Sequence, residues 1–133
     1  MKLITRDTDY AVRAISFIAE SKKDLVSADE LVKKTRIPRP FLRKILQVLN
    51  KKKILKSHKG KGGGFSLAVS PRRIYLFELI KIFQGPFNLN KCTFKKQICP
   101  DMKTCPLRKK VTQIEKHVLS ELKGITIASL LKV

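Results

Sequence analysis

Cys92, Cys99 and Cys105 are the only cysteines of a 133-residue chain, and they fall within fourteen consecutive positions with the spacing C-x6-C-x5-C. Cysteines that merely fill a core would not be expected to cluster in this way. The stretch from Lys91 to Pro106 has neither a helical nor a strand period, and Cys99 and Cys105 each precede a proline, which stiffens the backbone there. Three thiols presented by one loop point to a metal centre. Iron–sulfur chemistry fits ahead of zinc. Iron in a cluster is held mainly by thiolates, whereas structural zinc usually shows a close C-x2–4-C pair, absent here. An odd cysteine count without an export signal argues against a disulfide framework. His58 and His117 lie in other segments and read as surface or interface residues rather than ligands. No nucleophile–base pair or catalytic carboxylate pair stands out, so an enzyme is not expected.

The composition says what such a centre would control. There are 30 Lys+Arg against 10 Asp+Glu, a formal net charge of +20. So large a surplus on so short a chain points to a polyanion. It is unevenly spread: 14 lysines and arginines, and no acid, lie between Leu31 and Phe77. Such a run can be a solvated basic face. Here it coincides with a recognisable order of elements, which favours nucleic acid. With 43% apolar residues the chain is globular rather than disordered. No run of about 18 apolar residues could span a membrane. Arg6, Asp7 and Asp9 follow the N-terminus too closely for a signal-peptide core, so a cytoplasmic, reducing location is expected.

Period and punctuation give the elements that would position these groups. A first helix is expected over 8–20, with Tyr10, Ala14, Phe17 and Ile18 at helical spacing. Ser27-Ala28-Asp29-Glu30 reads as a capping box opening a short helix over 28–34, with Leu31 and Val32 inward. Pro38 and Pro40 fit only in or before a first helical turn. A third helix should then run to Leu49, burying Phe41, Leu42, Ile45, Val48 and Leu49 and presenting Arg39, Arg43, Lys44 and Gln47. Short helix, tight Thr35-Arg36-Ile37 turn and basic-faced helix make a helix-turn-helix. Alternating stretches at 54–59 and 65–69 flank Gly60-Lys61-Gly62-Gly63-Gly64, the pattern of a β-hairpin. The glycine-rich tip is not a nucleotide loop, because no Gly-Lys-Ser/Thr ending and no helix follow it. Placed after a helix-turn-helix, the hairpin is a wing whose Lys59, Lys61, Gly62 and Gly63 can approach phosphate or a narrow groove.

A fourth helix is expected over 72–83, stopped by Gly85-Pro86. Beyond the cysteines, a long helix to Lys123 carries Leu107, Val111, Ile114, Val118 and Leu122 as one stripe. Its most useful role is dimerisation, and the alternative is packing on its own subunit. A short last helix starts at Thr126. The expected fold class is mainly α with a small β-hairpin wing. A winged helix-turn-helix DNA-binding domain spans 1–85, a cysteine-rich cluster-binding loop 86–106, and a dimerisation helix with a short C-terminal helix 107–133.

Met1-Lys2-Leu3 with Thr8-Asp9-Tyr10-Ala11-Val12-Arg13-Ala14, Phe41-Leu42-x-x-Ile45-Leu46, Gly60-x-Gly62-Gly63-Gly64-Phe65 and a three-cysteine loop before a long helix occur here in one order and spacing. Across essentially its whole length the chain resembles the IscR/NsrR family of winged-helix iron–sulfur transcription regulators. The resemblance implies a homodimer that binds a double-stranded DNA operator. It also implies control of that binding by an iron–sulfur cluster sensing cluster status, nitric oxide or redox state, 4Fe–4S being favoured over 2Fe–2S.

Two departures from the family pattern matter. IscR-like members carry a histidine three residues after the last cysteine as fourth ligand. Here Arg108 stands there, and a guanidinium cannot ligate iron. NsrR-like members instead take an N-terminal aspartate from the other subunit, and Asp9 falls at that position. The same carboxylate would also suit the helix dipole near the start of the first helix. The metal ligands expected are therefore Cys92, Cys99, Cys105 and Asp9. One oxygen ligand among three thiolates leaves a weak corner open to nitric oxide or oxygen, which suits a sensor. Arg43 stands where many members carry glutamate, so no family operator sequence carries over. The alternatives are a cluster-free winged-helix regulator with a thiol redox switch and a basic RNA-binding protein, although the aromatic stacking patches of single-strand readers are missing.

Overall fold

Alanines at positions 11 and 14 let the first helix run through the middle of the molecule, because their small side chains allow neighbouring helices to approach closely. A computed structural model describes residues 3–86 and 105–131, so Cys92 and Cys99 lie outside the described residues. The elements are α1 (Arg6–Glu20), α2 (Ala28–Thr35), α3 (Arg39–Lys51), the strands β1 (Leu55–His58) and β2 (Gly64–Leu67), a 3-10 turn at Pro71–Arg73, α4 (Leu76–Gln84), α5 (Pro106–Lys123) and α6 (Ile127–Leu130).

Ala11, Ala14, Ile15 and Ile18 form the buried face of α1. The expected face was slightly rotated: Tyr10 and Phe17 are only partly buried, and Tyr10 turns sideways to meet Phe41 of α3 with ring centroids 6.5 Å apart. From the other side, α3 contributes Leu42, Ile45, Leu46 and Leu49, and α2 contributes Leu31. Each fully buried Leu or Ile here favours the fold by about 1.5–3 kcal/mol over an exposed one. Half of the expected capping box forms. The Glu30 N–H donates to Ser27 Oγ at 3.1 Å, while the Glu30 carboxylate takes Lys23 Nζ at 3.1 Å.

The hairpin pairs Leu55 with Leu67, Lys56 with Ser66, Ser57 with Phe65 and His58 with Gly64 in antiparallel register. It is anchored to the helices by Val26. The Val26 N–H donates to the Phe65 carbonyl at 3.0 Å, and the Phe65 N–H donates back at 2.8 Å.

The fourth helix departs from expectation. Instead of one helix over 72–83, the 3-10 turn gives way to extended Ile74 and Tyr75 before α4 begins. The returning C-terminal segment holds them extended. The Leu76 N–H donates to Ile125 O at 3.0 Å, the Ile127 N–H donates to Ile74 O at 2.8 Å, and Tyr75 bridges Thr126. β-branched Ile74 and aromatic Tyr75 suit such a conformation. The return carries Ile127 into the main core.

A second apolar cluster joins Leu76 and Ile80 of α4 to Leu122 of α5, with Ile4, Val12, Phe77, Val118 and Ile125 around it. Only the C-terminal end of the α5 stripe is covered this way. Leu122 is 4% exposed, whereas Ile114 is 57% and Leu107 71% exposed.

Candidate nucleic-acid interface and metal centre

The turn between α2 and α3 is made at Arg36, which caps α2 with φ +60° and ψ +22° and donates its N–H to Val32 O at 3.0 Å. A left-handed non-glycine residue costs about 1–2 kcal/mol. Burial of the next residue, Ile37, helps offset that cost. Pro38 then caps α3, with Arg39 and Pro40 as its first helical residues.

Between α2, α3 and the hairpin lies a groove of about 370 Å³. Ala28, Val32, Leu42, Leu46 and Phe65 give it apolar walls, and Arg39, Arg43, Gln47, Asn50 and Ser57 give it polar ones. Steps of four, four and three residues put Arg39, Arg43, Gln47 and Asn50 along one helix face. The structure thus brings together three of the four residues expected on the reading face. Lys44 is exposed on α3 but does not line the groove. Val32, expected inward, is half-buried against the core and also forms a groove wall. Asn50 and Ser57 were not anticipated. Asn50 could have been found, since it lies seven residues beyond Arg43 on the same face. Ser57 is brought in by the hairpin fold alone. Arginine can pair bidentately with guanine and Asn or Gln with adenine, while apolar walls can meet a thymine methyl. Arg39 is also ion-paired with Asp29 of α2.

At the wing tip, Lys59 and Lys61 are exposed, as are Gly60 and Gly62 with φ of +99° and +73°. The Gly63 N–H closes the turn on Gly60 O at 3.0 Å, and a Cβ at Gly63 would stand 2.2 Å from His58 O. Gly62 and Gly63 therefore answer first to the shape of the turn. His58 is exposed and within 3.2 Å of Ser66 Oγ through Nε2.

Of the expected metal ligands, Asp9 and Cys105 are described. Asp9 lies in the first turn of α1, its Oδ2 3.0 Å from Arg13 Nε. Cys105 caps α5, half-buried, with no acidic residue in the following turn and with exposed Arg108, Lys109 and Lys110 next. Cations at a helix N-terminus are unfavourable against the dipole, and an anionic group beside Cys105 would favour Lys109 and Lys110 there. A thiolate-bound cluster fits that setting. Among the described residues, no three His, Cys, Asp or Glu side chains converge as a metal site. Among the same residues no helix is long and apolar enough to cross a membrane.

The Rrf2 family, described as an iron-dependent transcriptional regulator, matches residues 4–133. A relative in Aquifex aeolicus, provisionally named an HTH-type transcriptional regulator, is 31% identical over 126 residues, 93% of this chain and 88% of that one. The HTH-type transcriptional regulator NsrR of Bacillus subtilis is 29% identical over 123 residues, covering 91% and 78%. Among solved structures, CymR, the global cysteine regulator of B. subtilis, shares the fold with a TM-score of 0.80 at 18% identity, covering 98% and 96%. IscR of T. potens does so with a TM-score of 0.73 at 23% identity, covering 98% and 85%. With its winged helix-turn-helix and a family match from Ile4 to the C-terminus, the chain belongs to the Rrf2 family: it is a DNA-binding transcriptional regulator and not an enzyme.

Proposed function

We propose that the protein is a homodimeric regulator, acting as a repressor, whose affinity for a two-fold symmetric operator is set by an iron–sulfur cluster. The observation that carries the DNA half is the groove beside the wing, where Arg39, Arg43, Gln47 and Asn50 share one face inside an acid-free basic stretch. Arg43, Gln47 and Asn50 read base edges in the major groove. Lys44, Lys59 and Lys61 hold phosphates, which positions the duplex without reading it. The uncovered part of the α5 stripe supports the dimer, since Leu107 and Ile114 lie open in one subunit.

Cys92, Cys99 and Cys105 would hold the cluster, of the 4Fe–4S type, with Asp9 of the partner subunit as the oxygen donor. When bound, the cluster supplies iron that reacts with nitric oxide or oxygen. Cys105 transmits its state by its place at the start of α5, the helix that forms the dimer. Asp9 does so from α1, which packs against α3. A second reading, a cluster-free thiol switch at the same cysteines, gains support from Arg108, because the cysteine segment then lacks the histidine donor of IscR-like members.

Selection from a random duplex library, followed by affinity measurements across salt, tests the DNA reading. Lys61→Ala should weaken operator and random DNA alike and flatten the log–log salt dependence by about one unit. Arg43→Ala should relax discrimination at one base pair, by about 1–3 kcal/mol. Failure of the selection to yield any preferred sequence would overturn it.

A further inference from the structure

Among the described residues, Arg39 is the one member of the reading face paired with an acid. Its Nη2 meets Asp29 Oδ1 across the helix-turn-helix, whereas Arg43, one turn further along α3, has no acidic partner among the described residues. We infer that Asp29 is a specificity-determining positioning residue: its carboxylate fixes the Arg39 guanidinium to read a base edge and keeps it from acting as a phosphate clamp. The inference rests on the DNA reading above and deepens it.

Arg39 is the first residue of α3, with Pro38 before it and Pro40 after it. The first residues of a recognition helix are those that contact base edges. Two prolines fix the neighbouring φ angles and α3 fixes the backbone of Arg39 itself, so its side chain is the remaining freedom at this position. One bond to Asp29 spends one of five guanidinium N–H donors and leaves the others for a partner. An arginine held in this way loses less rotamer entropy on binding DNA.

The Asp29 side chain is 81% exposed and that of Arg39 50%. An exposed ion pair is worth about 0–1 kcal/mol, too little for stability to be its main purpose. Nor does α2 depend on Asp29 for its dipole, since Glu30 also lies in the first turn and Ser27 caps the helix. Asp29 and Glu30 are the last acids before the acid-free stretch, and Asp29 directly follows the groove residue Ala28. A carboxylate at the edge of a DNA-facing groove repels phosphate and weakens binding to every sequence. Discrimination gained through Arg39 is what offsets that loss.

Asp29→Ala, Asp29→Asn, Arg39→Ala and the double variant Asp29→Ala/Arg39→Ala are compared on the operator selected with the unaltered protein and on random duplex, across a range of salt. Both Asp29 variants should tighten random-DNA binding, because each removes a negative charge. Asp29→Ala should lower the operator-to-random ratio about tenfold and steepen the salt dependence by about one unit as Arg39 moves to phosphate. Asp29→Asn, which keeps an oxygen acceptor for Arg39, should retain more of the ratio. In the Arg39→Ala background, Asp29→Ala should leave the ratio unchanged. Equal ratios for the Ala and Asn variants, or the same loss with and without Arg39, would show a bare charge effect and overturn the proposal. An unaltered protein that binds operator and random DNA equally would instead overturn the DNA reading, and this inference with it.

Discussion

Gln84, in the last turn of α4, accepts the hydroxyl of fully buried Thr8 at 2.7 Å, across 76 residues of sequence. The same Gln84 Oε1 accepts the Thr5 N–H at 2.9 Å, and Gln84 Nε2 donates to Leu3 O at 3.2 Å. Thr5 offers α1 no side-chain cap of its own, and Gln84 satisfies the Thr5 N–H itself from another helix. The start of α1, which carries Asp9, is thereby tied to the end of α4. It also bears on the recognition helix, through the Arg6 guanidinium 4.2 Å from the Phe41 ring centroid.

Gln84→Ala should therefore destabilise the fold by about 1–2 kcal/mol, the cost of leaving a buried hydroxyl poorly satisfied. Thr5 Oγ1, 3.3 Å from Thr8 Oγ1, softens the loss. Adding Thr8→Val should recover part of it. Urea unfolding of the single and double variants measures both terms, and strictly additive losses would show that the two residues are not coupled.

The wing glycines should differ in tolerance. A Cβ at Gly64 would stand 2.6 Å from Val26 O, whereas one at Gly60 would meet nothing within 4 Å. Gly60→Ala should cost only the strain of its positive φ, about 1–2 kcal/mol. Gly64→Ala should also push the hairpin off Val26, lower the melting temperature further and weaken binding to operator and random DNA together. Equal behaviour of the two variants in a thermal melt would mean that Val26 does not anchor the wing.

In the proposed dimer, the exposed and the buried positions of α5 have different roles. Leu107→Asp and Ile114→Asp should turn a dimer into a folded monomer, read as sedimentation mass with an unchanged helical signal. Leu122→Ala should instead destabilise the chain by about 2–5 kcal/mol, as for other buried leucines. Asp variants that still sediment as dimers would place the dimer contact elsewhere.

Much of this architecture is legible in residue order. Pro38 and Pro40 fix where α3 starts, and the glycine-rich tip between two alternating runs fixes the hairpin. Both signals are local, so they survive without tertiary information. The inward face of α1 is less legible, because Tyr10 and Phe17 look like core by type while packing leaves them at the edge and buries Ala11 and Ile15. The break at Ile74 and Tyr75 depends on Ile125 and Ile127, some fifty residues away, which no local pattern announces. The pairing of Arg39 with Asp29 is of the same kind: each residue is readable as exposed, but their meeting depends on the Arg36 turn. Cys92 and Cys99 lie outside the described residues, and the ligand set stands on spacing and resemblance, joined by the basic start of α5 at Cys105.

Asp9 and Asp7 provide a matched pair for the fourth ligand. Both lie in the first turn of α1 and both face an arginine, Asp9 with Arg13 at 3.0 Å and Asp7 with Arg6 at 3.6 Å. Asp9→Ala should leave a cluster that assembles but is lost faster and reacts differently with nitric oxide. Asp7→Ala should behave as the unaltered protein. Identical cluster spectra and reaction rates for the two variants would remove Asp9 from the ligand set.

The proposed cluster would govern the hold of this chain on DNA. The direct measurement is operator affinity of protein purified without oxygen, with iron and sulfide counted per chain, before and after the iron is stripped by a chelator. The expected result is a coloured protein with stoichiometric iron and sulfide, whose operator affinity changes at least tenfold when the iron leaves. A colourless, folded, iron-free protein, or one whose operator affinity is the same with and without iron, would contradict it.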